Sequence, residues 1–250
     1  MCPQIKKGRR KMKLLNGNIL FAILVAGFVL GISENSGSQG AKKQFLSDKI
    51  YSDPKGFFRI RPPEGWQIQE FRDDPRGKIK IICTEAYNTV IQVIAMASPF
   101  SNFEELVRDS EGAAERLRYK FNADVTTEKT TFANAKAVKV YFTMPGKLKQ
   151  MQIQFLLGKN HYTLVYGAPP DIYEEFLPIA MISIGSFEPI LKDVTEEEAI
   201  QHTVASRLRT AKLIIQAGQK EYALAVINEG LQLNPDNKEL MELKKQLEEK

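Results

Sequence analysis

Apolar and polar residues alternate in short segments from about residue 50 onward, a pattern that predicts β-strands separated by turns. The predicted strands cover residues 57–60, 66–71, 78–84, 90–97, 123–129, 137–144, 150–157 and 162–166. The strand at 90–97 is apolar on both faces, which is typical of a central strand that is covered on both sides. The strand at 150–157 has one apolar face, and its other face, with Gln150, Gln152 and Gln154, is predicted to be wetter.

Two helices are predicted within this region, where apolar residues recur with helical spacing. Ser101 and Glu104 have the spacing of a capping box, which predicts that the first helix begins there. Asp171 is predicted to cap the second helix, which runs to Ile182. The predicted fold class is α+β, with an antiparallel β-sheet flanked by helices, followed by an all-α helical appendix.

The appendix, residues 195–250, has helical periodicity throughout. Thr195 and Glu198 form a second capping box, and Gly218 is predicted to end the helix that follows. The spacing of small and apolar residues resembles one tetratricopeptide repeat, and its positions are Ala211, Ile214, Gly218, Ala223, Ile227, Gly230 and Pro235. Arg207 and Thr210 depart from the large apolar residues usual in such repeats.

One repeat and one further helix are fewer than the three or so repeats that usually bury a continuous core. The appendix therefore needs another surface to cover its apolar face. Docking on the sheet domain is the default, with self-association and binding of a partner's helix as alternatives. The residues predicted to bind a protein partner are Leu240, Leu243, Leu247, Ile214 and Tyr222.

The segment YSDPKGFFRIRPPEGW resembles the opening of PsbP-like domains, the family of the extrinsic P subunit of photosystem II and of small exported bacterial proteins. The matching residues are Gly56, Phe57, Phe58, Pro63, Gly65 and Trp66, with the later block from Ile182 to Phe187. The resemblance covers roughly residues 50–189. It implies a sheet flanked by helices that binds or helps to assemble other proteins without catalysis. No metal-ligating position of the photosynthetic members matches this chain, so no metal and no cofactor is predicted.

The segment from Ile19 to Ile32 has no polar side chain, and six cations without an acid precede it. Extension of the segment to residues 14–32 gives a length that roughly suffices to cross a hydrocarbon core of about 30 Å. The cations are expected to keep the N-terminus in the cytoplasm, with the rest of the chain outside. A retained single-pass anchor is predicted, and cleavage near Ser33, which would give a secreted or periplasmic protein, is the alternative. Both Met1 and Met12 fit as the start.

Four parts are therefore predicted along the chain. Residues 1–33 are a basic leader with a transmembrane anchor or signal peptide, and residues 34–47 are a flexible tether rich in Ser and Gly. Residues 48–191 are the PsbP-like α+β domain, and residues 195–250 are the tetratricopeptide-like helical region.

The positive net charge of the chain is concentrated in the leader. The chain has 35 basic and 30 acidic residues, and six of the cations precede Ile19, so the remainder is close to neutral. Nucleic-acid binding needs a concentrated cationic face that replaces phosphate counterions. No nucleic-acid partner is predicted, because the exported part lacks such a face.

No catalytic or metal-binding residue is predicted. His161 and His202 lie in no motif, and Asp73 with Asp74 fits an ordinary turn better than a cation site. Cys83 alternates with isoleucines, which predicts a buried small hydrophobe rather than a reactive thiol.

The function hypothesis is a non-catalytic, membrane-tethered, extracytoplasmic protein-binding adaptor or assembly factor. The alternatives are an enzyme, either a hydrolase or a metal-dependent enzyme, whose site no recognisable motif encodes, and a small-ligand carrier.

Overall fold

The computed structural model describes residues 45–71, 79–85, 88–191 and 194–249. These residues belong to one compact unit. The predicted leader, the membrane segment at 14–32 and most of the tether lie outside the described residues, as does the predicted turn from Asp73 to Gly77. Within the described ranges, no helix is both long and apolar enough to cross a membrane.

Two antiparallel sheets are present in the described part of the chain. The strands are β1 Tyr51–Ser52, β2 Phe58–Ile60, β3 Gln67–Glu70, β4 Ile79–Thr84, β5 Val90–Ala97, β6 Asp124–Phe132, β7 Ala135–Met144, β8 Leu148–Leu157, β9 Asn160–Ala168 and β10 Glu188–Pro189. The larger sheet has the order β3-β4-β5-β9-β8-β7-β6, and the smaller has the order β1-β2-β10. Strand β5 has the predicted bounds and lies near the middle of the larger sheet, with both faces largely buried.

Five helices complete the described fold, and they are α1 Phe103–Phe121, α2 Tyr173–Gly185, α3 Glu196–Gln216, α4 Lys220–Leu233 and α5 Lys238–Glu248. The capping box of Thr195 and Glu198 is confirmed at the start of α3. The predicted cap of α1 was wrong by one residue, because the side chain of Asn102 accepts the hydrogen bond from Glu105 N at 3.0 Å. The prediction that Asp171 caps α2 was also wrong, since α2 follows Ile172 without a side-chain cap.

Helices α1 and α2 cover opposite faces of the larger sheet. Side chains alternate between the faces along a strand, so Tyr162 and Tyr166 of β9 point to one side and Val165 points to the other. The Tyr166 hydroxyl donates to Tyr173 O of α2 at 2.6 Å, which places α2 on the tyrosine side. Helix α1 packs on β6, β7 and β8 on the side of Val165, where Ser110 Oγ of α1 lies 3.5 Å from Gln154 Oε1 on the same face.

The core on the tyrosine side is rich in aromatic rings. Phe155 and Tyr162 stack with ring centroids 5.2 Å apart, and Phe187 lies edge-on to Phe155 at 5.8 Å. Trp66 and Phe176 meet at 6.2 Å and close one end of this core. Burial of rings of this size is a large source of folding free energy, so the core depends on contacts between the sheet and the chain around α2.

The helical appendix packs on the sheet domain, as the default interpretation predicted. Helix α3 lies between α2 and α4, and α5 packs on α4. Val204, Ala211 and Ile214 of α3 belong to the same apolar cluster as Phe187 and the sheet residues. The α+β fold with a C-terminal helical appendix is therefore confirmed, and its two parts share one core.

The thiol of Cys83 should be unreactive while the protein is folded. Its side chain is 1% exposed on β4, and burial raises the pKa of the thiol to about 12. We expect a Cys2→Ser variant to react with a disulfide reagent at pH 8 only as fast as the fold opens, because the thiolate is the reactive species. The measurement is the labelling rate with and without urea. Rapid labelling in the absence of urea would contradict this description of Cys83.

Candidate functional site

The residues predicted to bind a partner occupy two different environments in the helical region. Ile214 and Leu240 are fully buried inside the chain, and Leu247 is 8% exposed. Leu243 and Tyr222 are only partly buried. The structure therefore brings the first three into the packing between helices and leaves the other two within reach of the surface.

Large apolar side chains are exposed beside these positions. Leu233, at the end of α4, is 43% exposed, and Met241 of α5 is 44% exposed. We use the name terminal apolar surface for the exposed side chains of Leu233 and Met241 at this end of the helical region. Leu243 lies about 160° from Met241 around α5, and Tyr222 is half-buried against Phe45. Among the described elements α5 packs mainly on α4, so the outer side of this last helix pair is open for a further contact.

A buried ion-pair network joins the helical region to the sheet domain. Arg207 of α3 bonds to Glu188 of β10, and both side chains are 8% exposed. Arg207 Nε also lies 2.9 Å from Glu229 Oε2 of α4, and Arg61 Nη2 lies 2.6 Å from that same oxygen. The network thus joins α3 and α4 to Glu188 of β10 and to Arg61, the residue after β2.

A second arginine reinforces this junction through backbone carbonyls. Arg209 donates to Gly185 O at 2.9 Å and to Phe187 O at 2.7 Å, and its guanidinium lies 4.7 Å from the centre of the Phe132 ring. Burial lowers the pKa of Arg209 to about 10, and Glu188 partly opposes that shift. The group therefore stays charged near neutral pH and holds the end of α2 against α3.

A shallow pocket of about 110 Å³ opens beside the junction, with Arg59, Glu188 and His202 among its lining residues. Pockets for small organic ligands are usually about 300–1,000 Å³, so this pocket suits little more than a few atoms. His202 thus lies in the wall of this shallow pocket. His161 is buried on β9, and its ring centroid lies 5.3 Å from that of Phe100. The two histidines lie in separate places, and the described residues contain no cluster of three or more metal-ligating side chains.

A row of buried amides follows the side of the larger sheet on which α1 packs. Gln150, Gln152 and Gln154 of β8 are 0–3% exposed, so the prediction of a wetter face was wrong for these three residues. Gln92 of β5 is 3% exposed, and both Gln92 and Gln152 pair with Val165, the residue between them on β9. We call Gln92, Gln150, Gln152 and Gln154 the glutamine row.

Part of the glutamine row is hydrogen-bonded and part is not. Gln154 Nε2 donates to Gln152 Oε1 at 3.1 Å, and Ser110 Oγ of α1 lies 3.5 Å from Gln154 Oε1. The Nε2 groups of Gln92, Gln150 and Gln152 find no hydrogen-bond partner within the described ranges. Sequence reasoning placed three of these glutamines on one face of a strand but missed their burial, because alternation alone does not show that a sheet is covered on both sides.

Comparison with known proteins shows similarity in fold at low sequence identity. No protein-family model and no curated protein matches the chain at a significant level. A solution structure of cyanobacterial PsbP (CyanoP) from Synechocystis sp. PCC 6803 is 12% identical, with a TM-score of 0.46, and the match covers 63% of this chain and 98% of that chain. LpqN of Mycobacterium tuberculosis, involved in cell envelope biogenesis, is 12% identical, with a TM-score of 0.42, over 60% of this chain and 93% of that chain.

A crystal structure from Bacteroides thetaiotaomicron VPI-5482 matches a longer part of the chain. It is 13% identical, with a TM-score of 0.36, over 79% of this chain and 80% of that chain. One of these neighbours is thus a PsbP protein, the family that the segment from Tyr51 to Trp66 resembles.

The ion pair at the junction should make Arg207 hard to replace. We expect Arg207→Leu to lower the free energy of unfolding by about 3–5 kcal/mol, because it leaves Glu188 buried without its partner. The tetratricopeptide pattern alone would predict the opposite, since it favours a large apolar residue there. Urea unfolding of the variant and the parent measures the difference.

The matched control for Arg207→Leu is Lys212→Leu on the same helix. Lys212 pairs with Glu239 at 3.1 Å, but both side chains are more than half exposed. An exposed pair contributes at most about 1 kcal/mol, so this variant should unfold almost like the parent. Equal losses in the two variants would show that the Arg207 network does not hold the junction.

Proposed function

We propose that this protein is a non-catalytic, membrane-tethered adaptor or assembly factor that acts outside the cytoplasm and binds a protein partner through its helical region. The observation that supports the proposal is the terminal apolar surface, which remains open on helices that are otherwise firmly docked. Leu233 and Met241 are each more than 40% exposed at the end of the helical stack. In stacked helical repeats the terminal outer face is normally polar, so apolar side chains exposed there favour a contact with another helix.

Rigid docking of the helical region favours recognition of a partner. The Arg207 network and the Arg209 contacts fix α3, so a partner that binds α4 and α5 would not have to order them first. A preordered surface loses less conformational entropy on binding, and more of the contact energy therefore appears as affinity. In this proposal Ile214, Leu240 and Leu247 support the surface from inside, and Leu243 and Tyr222 contact the partner.

The location outside the cytoplasm is proposed from the sequence. The cation-rich segment before Ile19 and the apolar segment that follows have the order expected of an anchor with its N-terminus inside. Phe45, within the proposed tether of residues 34–47, packs edge-on against Tyr222 with ring centroids 6.0 Å apart. The chain that leads from the tether therefore meets the fold at α4. The domain boundaries and the tetratricopeptide character of residues 195–250 belong to the same proposal.

We expect the double variant Leu233→Glu and Met241→Glu to lose a partner that the parent retains in affinity capture from membranes of the native host. Two buried carboxylates in the contact would go unpaired, which is costly, whereas in the free protein both positions are exposed. The melting temperature should therefore change little. Substitution is preferable to truncation after Ile190, because α3 belongs to the shared core.

The control variant is Tyr119→Glu on α1, where the side chain is 91% exposed and lies outside the helical region. It should capture the same partner as the parent. Loss of the partner with Tyr119→Glu, or equal capture by all three proteins, would rule out the terminal apolar surface as the binding site. Absence of any specific partner with the parent would overturn the adaptor function itself.

A further inference from the structure

The chain that leads from the proposed anchor to the fold is held against α4. Glu64 N donates to Phe45 O at 2.8 Å, and the next residue, Leu46, is 3% exposed. The ring of Phe45 packs on Tyr222 near the start of α4, with centroids 6.0 Å apart. The chain is therefore fixed from residue 45 onward, and residues 33–44 separate this point from the end of the proposed membrane segment.

The length of residues 33–44 limits how far the helical region can lie from a membrane. Twelve residues span at most about 40 Å, and a Ser- and Gly-rich chain of that length has a root-mean-square end-to-end distance of about 20 Å. Leu233 follows Tyr222 by eleven residues on α4, so it lies on the same side of the helix, about 16 Å further along. Leu233 is therefore within about 60 Å of the membrane that holds the proposed anchor.

The terminal apolar surface is small for a contact between proteins that diffuse freely. Its two side chains, Leu233 and Met241, are each already more than half buried. Stable complexes usually bury about 800 Å² on each partner, from about 20–30 residues. When two proteins are anchored in one membrane, each is confined to a thin layer, and the higher effective concentration compensates for a weak contact as a linker does. A surface of this size therefore suits a partner held in the same membrane.

The charges around Met241 indicate which kind of helix fits this surface. Residues three and four positions apart share one side of a helix, and for Met241 these neighbours include Lys238, Lys244 and Lys245. None of these neighbouring positions is acidic. Two of the lysines form long ion pairs one turn further along α5, with N–O distances of 4.0 and 3.8 Å. A helix that covers Met241 would therefore be favoured by acidic side chains beside its apolar residues.

We propose that the terminal apolar surface binds an acidic amphipathic helix of a second membrane-anchored protein. This inference rests on the proposed adaptor function and its anchor, and it adds the class of the partner. The apolar side of the partner's helix would cover Leu233 and Met241, and its carboxylates would lie near Lys238 and Lys245. Both lysines are exposed, so these ion pairs would contribute mainly to orientation and to the rate of association.

The test detects the partner while the membrane is intact. In the full-length protein, Asp236, which is exposed between α4 and α5, is replaced by the photo-reactive amino acid benzoylphenylalanine, and a site for a specific protease is inserted after Ser38. Native-host membranes that carry this protein are irradiated either intact or after the protease has released the fold into the same volume. We expect a cross-linked protein with a transmembrane segment, identified by mass spectrometry, and at least a tenfold lower yield after release.

Two double variants test the charge of the partner's helix. We expect Lys238→Glu with Lys245→Glu to lower the cross-linking yield in intact membranes at least tenfold, because like charges would then face each other. The matched control is Lys147→Glu with Lys159→Glu, which makes the same change in charge on two exposed turns of the sheet domain and should leave the yield unchanged. Both double variants should melt like the parent, since exposed charges contribute little to stability.

Four results would overturn this inference. Equal yields before and after release, or a cross-linked protein without a membrane segment, would overturn it and leave the adaptor function standing. Cross-linking to lipid alone would identify a lipid surface as the occupant. Equal yields from the two double variants would rule out an acidic helix. Absence of any specific cross-link in intact membranes, or of the parent from the membrane fraction, would overturn both the inference and the proposed function.

Discussion

The ion pair between Arg207 and Glu188 determines how the helical region relates to the sheet. A guanidinium and a carboxylate that are both almost fully buried tolerate few alternative positions. Each loses its hydration, and the opposite charge of the other compensates for that loss only at short distance. Glu188 lies on β10, directly after the aromatic core residue Phe187, so the pair ties α3 to the centre of the fold. The helical region therefore behaves as a part of the domain and presents α4 and α5 in a defined orientation.

Two glycines make this arrangement sterically possible. A Cβ at Gly230 would lie 2.5 Å from Leu240 Cδ1 and 3.2 Å from Arg207 Cβ, so a larger residue there would press on the end of the Leu240 side chain and on the stem of Arg207. At Gly185, a Cβ would lie 2.5 Å from Leu213 Cδ1, and its absence lets α3 approach the end of α2. The close packing of α3 on its neighbours and the burial of the Arg207 ion pair therefore go together. Both are favoured by glycines at the helix contacts.

Strands and helices were largely predictable from the sequence, and the contacts between distant elements were not. Strand β5 and the Thr195 capping box depend on residues that are neighbours in sequence, so their periodicity and spacing were sufficient. Arg207 looked like a departure from a repeat pattern, because its partner Glu188 belongs to another part of the chain. The polar face of β8 looked solvent-exposed, since alternation alone does not show that a sheet is covered on both sides. Local patterns therefore identified the elements, whereas the Arg207 ion pair and the glutamine row depend on burial, which local patterns do not show.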